Sequence, residues 1–134
     1  MKTYVFDASA LLVYLQNRAS AQKIAELLKA ALRDRALILM SAVNFGEVYS
    51  VIAREFGETR AAATINAVRQ TPIRLLDANP QRSLHAAETK NRYKLYYVDS
   101  FAAALAIEHK ATLVTSDSDF RKLGHTFSIV WLKI

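Results

Sequence analysis

The chain has 134 residues, 52% hydrophobic and 22% charged, with three Gly, two Pro and no Cys. That size suits one domain with a buried core, and the composition excludes disorder and fibrous repeats. The missing thiols exclude disulfide frameworks and a cysteine nucleophile and point to a reducing cytoplasm, while a formal charge of +6 selects a polyanionic partner, nucleic acid ahead of an anionic membrane.

In chain order, Thr3–Phe6 is a short apolar run rich in β-forming residues and predicts the first strand. Ile24, Leu27, Leu28, Ala31 and Leu32 then recur at helical spacing. Leu37–Met40 is apolar on both faces, as a strand covered by helices on both sides requires. Val48, Ile52 and Phe56 lie along a second helical stripe, which Gly57 ends. A third stripe, Ala61, Ala62, Ile65 and Val68, suits either core packing or burial against a partner. Ile73–Leu76 predicts the next strand, and Asn79-Pro80 the cap and first residue of a helix running to about Arg92. A long helix over Val98–His109 and strands at Thr112–Val114 and Phe127–Leu132 complete the pattern. This alternation predicts a single domain over residues 1–134, a three-layer α/β/α fold with a mainly parallel sheet of about five strands. The longest apolar run, Phe101–Ile107, is far short of the ~20 residues of a spanning helix. Asp7 interrupts the N-terminal apolar stretch where a signal peptide needs continuity, so no membrane partner is expected.

In such folds ligands bind beyond the carboxyl ends of the strands. Asp7 directly follows the first strand, and Asp117 and Asp119 follow the fourth. Glu47 lies on the helix after the second strand, one turn from Val43 and Val51, and Asp99 begins the Ala-rich helix containing Ser100–Ala106. Taken singly, Asp7, Asp99 or Asp117 is equally well explained as an N-cap, and Glu47 as a half-buried acid paired with an Arg. Convergence of all of them has no such explanation. Two carboxylates ~4 Å apart repel by roughly 4 kcal/mol at an effective dielectric of about 20, so such a cluster needs protons or a cation. Oxygen donors without Cys or paired His favour Mg²⁺ or Mn²⁺. His85, His109 and His125 lack the spacing of a helical metal site, and three scattered Gly build no phosphate loop. The hydroxyls of Ser9 and Thr115, two residues from Asp7 and Asp117, either cap a helix or orient the acids, with capping favoured for Ser9. Tyr93, Tyr96 and Tyr97 crowd beside Arg92, Lys94 and Asp99 and suit base stacking or plain packing.

Four segments, Val5-Phe6-Asp7-Ala8-Ser9-Ala10-Leu11-Leu12, Ser41-Ala42-Val43-Asn44-Phe45-Gly46-Glu47-Val48, Val98-Asp99-Ser100-Phe101-Ala102-Ala103 and Thr115-Ser116-Asp117-Ser118-Asp119-Phe120, occur in that order. Together they resemble a PIN-domain ribonuclease, and the chain length narrows the resemblance to the VapC toxins of bacterial and archaeal toxin–antitoxin pairs. The likeness spans essentially the whole chain. It implies that Asp7, Glu47, Asp99 and Asp117 are the family's acidic quartet, with Asp119 a further acid, and that they hold one or two Mg²⁺ or Mn²⁺ ions. Asp7, Asp99 and Asp117 would be the ligands, Glu47 would orient a water, and hydrolysis of an RNA phosphodiester would leave a 5′-phosphate and a 3′-hydroxyl. Arg92, Lys94, Arg121 and Lys122, neighbours of the acids in sequence, become candidates for holding RNA phosphates, with Ser9 and Thr115 beside the substrate. One departure is Lys94-Leu95-Tyr96-Tyr97-Val98, where the family more often carries a small hydroxyl residue near Tyr96 or Tyr97. The resemblance further implies a homodimer and a cognate, VapB-like antitoxin lying across the active site. Two other readings compete: a metal-dependent phosphatase or phospho-acceptor domain using Asp7, which usually has a second Asp where Ser9 stands, and a non-catalytic RNA-binding module, which needs no tight metal site.

Overall fold

A computed structural model describes residues 1–134. Five strands, β1 (Lys2–Phe6), β2 (Ala36–Ser41), β3 (Arg74–Leu76), β4 (Thr112–Thr115) and β5 (Ile129–Trp131), form one sheet in the order β3-β2-β1-β4-β5. Every pairing is parallel, with Phe6 of β1 opposite Met40 on one side and Val114 on the other. The chain builds outwards from β1 through β2 to β3, then returns to the far side of β1 for β4 and β5. The edge between β1 and β4 is therefore a topological switch point, where the following segments diverge and leave a crevice.

Alternation along the strands sorts the core into two layers. Phe6, Ile38, Met40 and Val114 face one side, where they pack with Leu11, Ile24, Leu28, Val48, Ile52 and Val68. These come from helices α1 (Ala8–Leu15), α2 (Ala21–Leu32), α3 (Ala42–Phe56) and α4 (Glu58–Arg69). Val5, Leu39 and Leu113 face the other side, against Ala102, Ala103, Leu105, Ala106 and Phe120. That layer is supplied mainly by α6 (Tyr97–His109) and a 3₁₀ segment over Ser118–Thr126, while α5 (Pro80–Tyr93) packs on α6 through Ala86, Phe101 and Ala104. Ser100–Ala106 are all buried, and the alanines leave room for the helix backbone to approach the sheet. The fold is the expected α/β/α architecture with an all-parallel sheet of five strands.

Local signals account for most boundaries. Asn79 accepts a hydrogen bond from the Arg82 amide at 2.8 Å with Pro80 at the first helical position, as a capped start requires. Gly57, at φ 91°, joins α3 directly to α4, a backbone conformation that favours glycine. Leu32 and Phe56, assigned to buried stripes from spacing, stand 68% and 52% exposed at the ends of their helices. Of the third stripe, Ala61 and Val68 enter the first core layer whereas Ala62 is exposed. β5 is shorter than its apolar run because Phe127 closes the 3₁₀ segment and stacks edge-on against Tyr93, 5.6 Å between ring centres. No helix is long and apolar enough to cross a membrane.

Candidate functional site

Asp7 leaves the end of β1 and caps α1, Oδ1 accepting from the Ala10 amide at 3.0 Å. Its carboxylate is only 4% exposed, so every lone pair it leaves unmatched is costly. Two hydroxyls answer that need. Ser9 Oγ donates to Oδ1 at 2.7 Å and Thr115 Oγ1, from the end of β4, donates to Oδ2 at 2.6 Å. The same hydroxyls accept in turn: Ser116 N donates to Ser9 Oγ and Asp117 N to Thr115 Oγ1, both at 2.9 Å. Ser9 thus orients Asp7 and ties it to the β4 loop, in place of the capping role favoured from its position after the strand. The cap is Asp7 itself. Thr115 couples Asp7 to the turn that carries Asp117, so Thr115→Val leaves Asp7 Oδ2 and the Asp117 amide unpartnered in the interior. Urea denaturation is expected to show a loss of about 1–3 kcal/mol, with Thr115→Ser close to wild type.

Asp117 caps the 3₁₀ segment by accepting from the Asp119 amide at 2.9 Å. Asp99 sits in the first turn of α6. One oxygen from each of Asp99, Asp117 and Asp119 lies within 4.8 Å of the other two. Asp7 and Glu47 stand outside this tight trio but within reach of its charge. Glu47, on α3, is half-buried; burial raises its carboxyl, a hydrogen bond from Asn44 lowers it, and the Asp117 charge raises it again. Asp99 is pushed up from 3.8 to about 7, first by burial and then by the charges of Asp117, Asp7, Glu47 and Asp119. Asp7 rises to about 6 because its burial outweighs its three hydrogen bonds, with the Asp117 charge adding to the rise. No cation relieves the cluster, since the chain's ion pairs join Arg82 to Asp77 and Glu108, and His109 to Glu108.

Four stretches distant in sequence therefore deliver acids to the carboxyl edge of the sheet. An all-oxygen donor set under mutual repulsion fits a hard divalent cation, with Asp99, Asp117 and Asp119 the tightest group and Asp7 and Glu47 beside it.

Spacing alone did not reveal Asn44. It is 1% exposed, its Nδ2 donates to the Val98 carbonyl at 3.1 Å, and its amide also faces Glu47. It thereby fixes the Glu47 helix to the first turn of α6, which carries Asp99, while its Oδ1 has no partner. A buried amide three residues before an acid on a helix was the available signal. Two of the tyrosines pack: Tyr93 against Phe127, and Tyr97 edge-on to Phe101 at 5.0 Å with its hydroxyl donating to the Ser83 carbonyl. Arg92 and Arg121 lie over the rings of Tyr93 and Trp131, at 5.7 and 5.8 Å, whereas Lys122 Nζ donates to the Lys94 carbonyl at 3.1 Å.

The molecule is thus a doubly wound α/β domain with a carboxylate cluster at its switch point. The PIN domain family model matches residues 4–125, and the chain belongs to that family. No curated protein matches it in sequence. By fold it is similar to VapBC2 from Rickettsia felis bound to a promoter DNA fragment, with a TM-score of 0.72 and 15% identity over 96% of this chain and 97% of that one. Mycobacterium tuberculosis VapC20, described as a sarcin-ricin loop cleaving toxin, also gives a TM-score of 0.72, with 19% identity over 98% and 99% of the two chains. VapBC-1 from nontypeable Haemophilus influenzae gives 0.70, with 18% identity over 96% and 97%.

Proposed function

We propose that this chain is a Mg²⁺- or Mn²⁺-dependent endoribonuclease acting as a VapC-like toxin in the cytoplasm, as a homodimer held in check by a cognate VapB-like antitoxin, with residues 1–134 forming one PIN domain. The observation that carries the reading is the cluster of Asp99, Asp117 and Asp119, within 4.8 Å of one another, with Asp7 and Glu47 adding charge to it. Fold similarity to VapBC proteins and to a toxin described as cleaving the sarcin-ricin loop supports the RNA substrate and the antitoxin partner.

In this reading Asp99, Asp117 and Asp119 hold the cation, and Asp7 completes the set from the β1 side. The chemistry such a cation supplies when bound is Lewis acidity towards water and phosphate oxygens. Ser9 and Thr115 keep both oxygens of Asp7 aimed, and the contact of Asn44 with Glu47 and with the first turn of α6 supports a role for Glu47 in orienting a water. A phosphoryl-acceptor role for Asp7 is disfavoured because the second acid such domains usually have is replaced by Ser9, whose hydroxyl donates to Asp7 Oδ1. Incubation of single-stranded RNA with the protein and Mn²⁺ is expected to yield fragments with 5′-phosphate ends and none in EDTA. Undiminished cleavage in EDTA would contradict the metal-dependent reading.

A further inference from the structure

Where α5 turns into α6, an open cavity of about 450 Å³ is lined by Lys90, Asn91, Lys94, Leu95, Tyr96 and Lys122, with no acid among them. None of the three ammonium groups has a carboxylate within ion-pair distance. Three exposed ammonium groups lining one cavity without counter-ions give it a positive potential, and an anion is the complementary ligand. Lys122 is steadied by donating to the Lys94 carbonyl, and Tyr96, unlike Tyr93 and Tyr97, presents a ring that is 72% exposed.

The place of this cavity follows from the chain. Tyr96 is the N-cap residue of α6, whose first turn carries Asp99, about one helical turn of 5.4 Å further on. Lys122 follows Asp119 by three residues on the same 3₁₀ segment. Resting on the nuclease reading above, we infer that the pocket of Lys90, Lys94 and Lys122 binds a backbone phosphate of single-stranded RNA next to the one presented to the acids, with the adjoining base stacked on Tyr96. A phosphodiester strand carries negative charges at regular intervals, so one phosphate sits at the acidic cluster and a neighbour sits among the lysines. An unpaired base is what an isolated exposed ring receives.

The test is fluorescence anisotropy with a labelled single-stranded RNA of about a dozen nucleotides, in EDTA so that binding is read without cleavage. The variant is Lys90→Gln/Lys94→Asn, because Asn tolerates the left-handed backbone that Lys94 adopts at φ 59° and neither side chain is buried. Affinity is expected to fall about tenfold, and the slope of log affinity against log salt to flatten by about 0.7 for each ammonium removed. Tyr96→Ala is expected to weaken binding about tenfold with the slope unchanged. Unchanged affinity and slope in the lysine variant, or no binding by the wild type, would overturn the assignment. So would an equal loss for a DNA duplex of the same length, which would mark the pocket as a general polyanion patch. Binding that depends on the lysines without any cleavage in Mn²⁺ would contradict the nuclease reading and leave the pocket standing.

Discussion

Asp117→Asn is expected to reduce RNA cleavage by roughly 10³-fold or more while making the metal-free protein more stable. The two effects have one cause. Asp117 belongs to the tight trio, and its charge contributes to the raised carboxyl groups of Asp7, Glu47 and Asp99. Under the proposed function its removal takes away a cation ligand, and in either case it relieves the repulsion on its neighbours. The amide oxygen of Asn can still accept from the Asp119 backbone, so the cap on the 3₁₀ segment survives. Parallel urea denaturation at pH 8 and cleavage of single-stranded RNA in Mn²⁺ check both halves. A variant that cuts at the wild-type rate would remove Asp117 from the site.

The second large effect is on stability against pH. A carboxyl group whose pKa is higher in the folded than in the unfolded state binds protons more tightly when folded, so stability falls as pH rises through the window between the two values. For Asp7 that window runs from 3.8 to about 6, and the rise corresponds to about 3 kcal/mol at alkaline pH. Asp99 adds to the loss up to about 7, its half-exposed carboxylate being better screened by solvent, and Glu47 acts in the same direction. Urea midpoints of the metal-free protein should therefore decline from pH 4 to pH 8. Saturating Mg²⁺ should restore most of the loss at the alkaline end, because ligand binding to the folded state alone adds stability by mass action. A midpoint that rises steadily with pH in EDTA would show that burial and mutual repulsion do not raise these carboxyl groups.

Legibility from the sequence followed physical scale. Runs such as Leu37-Ile38-Leu39-Met40 announced the strands because a strand covered on both faces must be apolar throughout, and Asn79-Pro80 announced α5 because the cap chemistry is local. α1 carried no periodic signal, since almost every residue from Ala8 to Leu15 is apolar, and the 3₁₀ segment was hidden by its short turns and the break at Gly124, φ 72°. The acids could be named individually from their places after strands and at helix starts. Their grouping could not, because it depends on the parallel pairing of β1 with β4, strands more than a hundred residues apart, at the centre of the sheet. That pairing is also why Thr115 reaches Asp7 across 108 positions, while the packing of α3 on α6 is why Asn44 meets the Val98 carbonyl across 54. Among the basic residues, sequence proximity marked Arg92 and Arg121 equally with Lys94 and Lys122, but only the lysines line the cavity, while the arginines stack on neighbouring rings.

The central claim is that acids from four separate stretches form one cation site, and calorimetric titration of Mn²⁺ into the metal-free protein at pH 7 tests it most directly. With the Asp99 carboxyl pushed up to about 7 by burial and its acidic neighbours, binding is expected to expel protons, so the measured heat should differ between buffers of different ionisation enthalpy. Saturable binding with proton release is expected in the wild type, and neither in Asp99→Asn/Asp117→Asn. Absence of saturable binding in the wild type, or the same isotherm in the double variant, would contradict that claim.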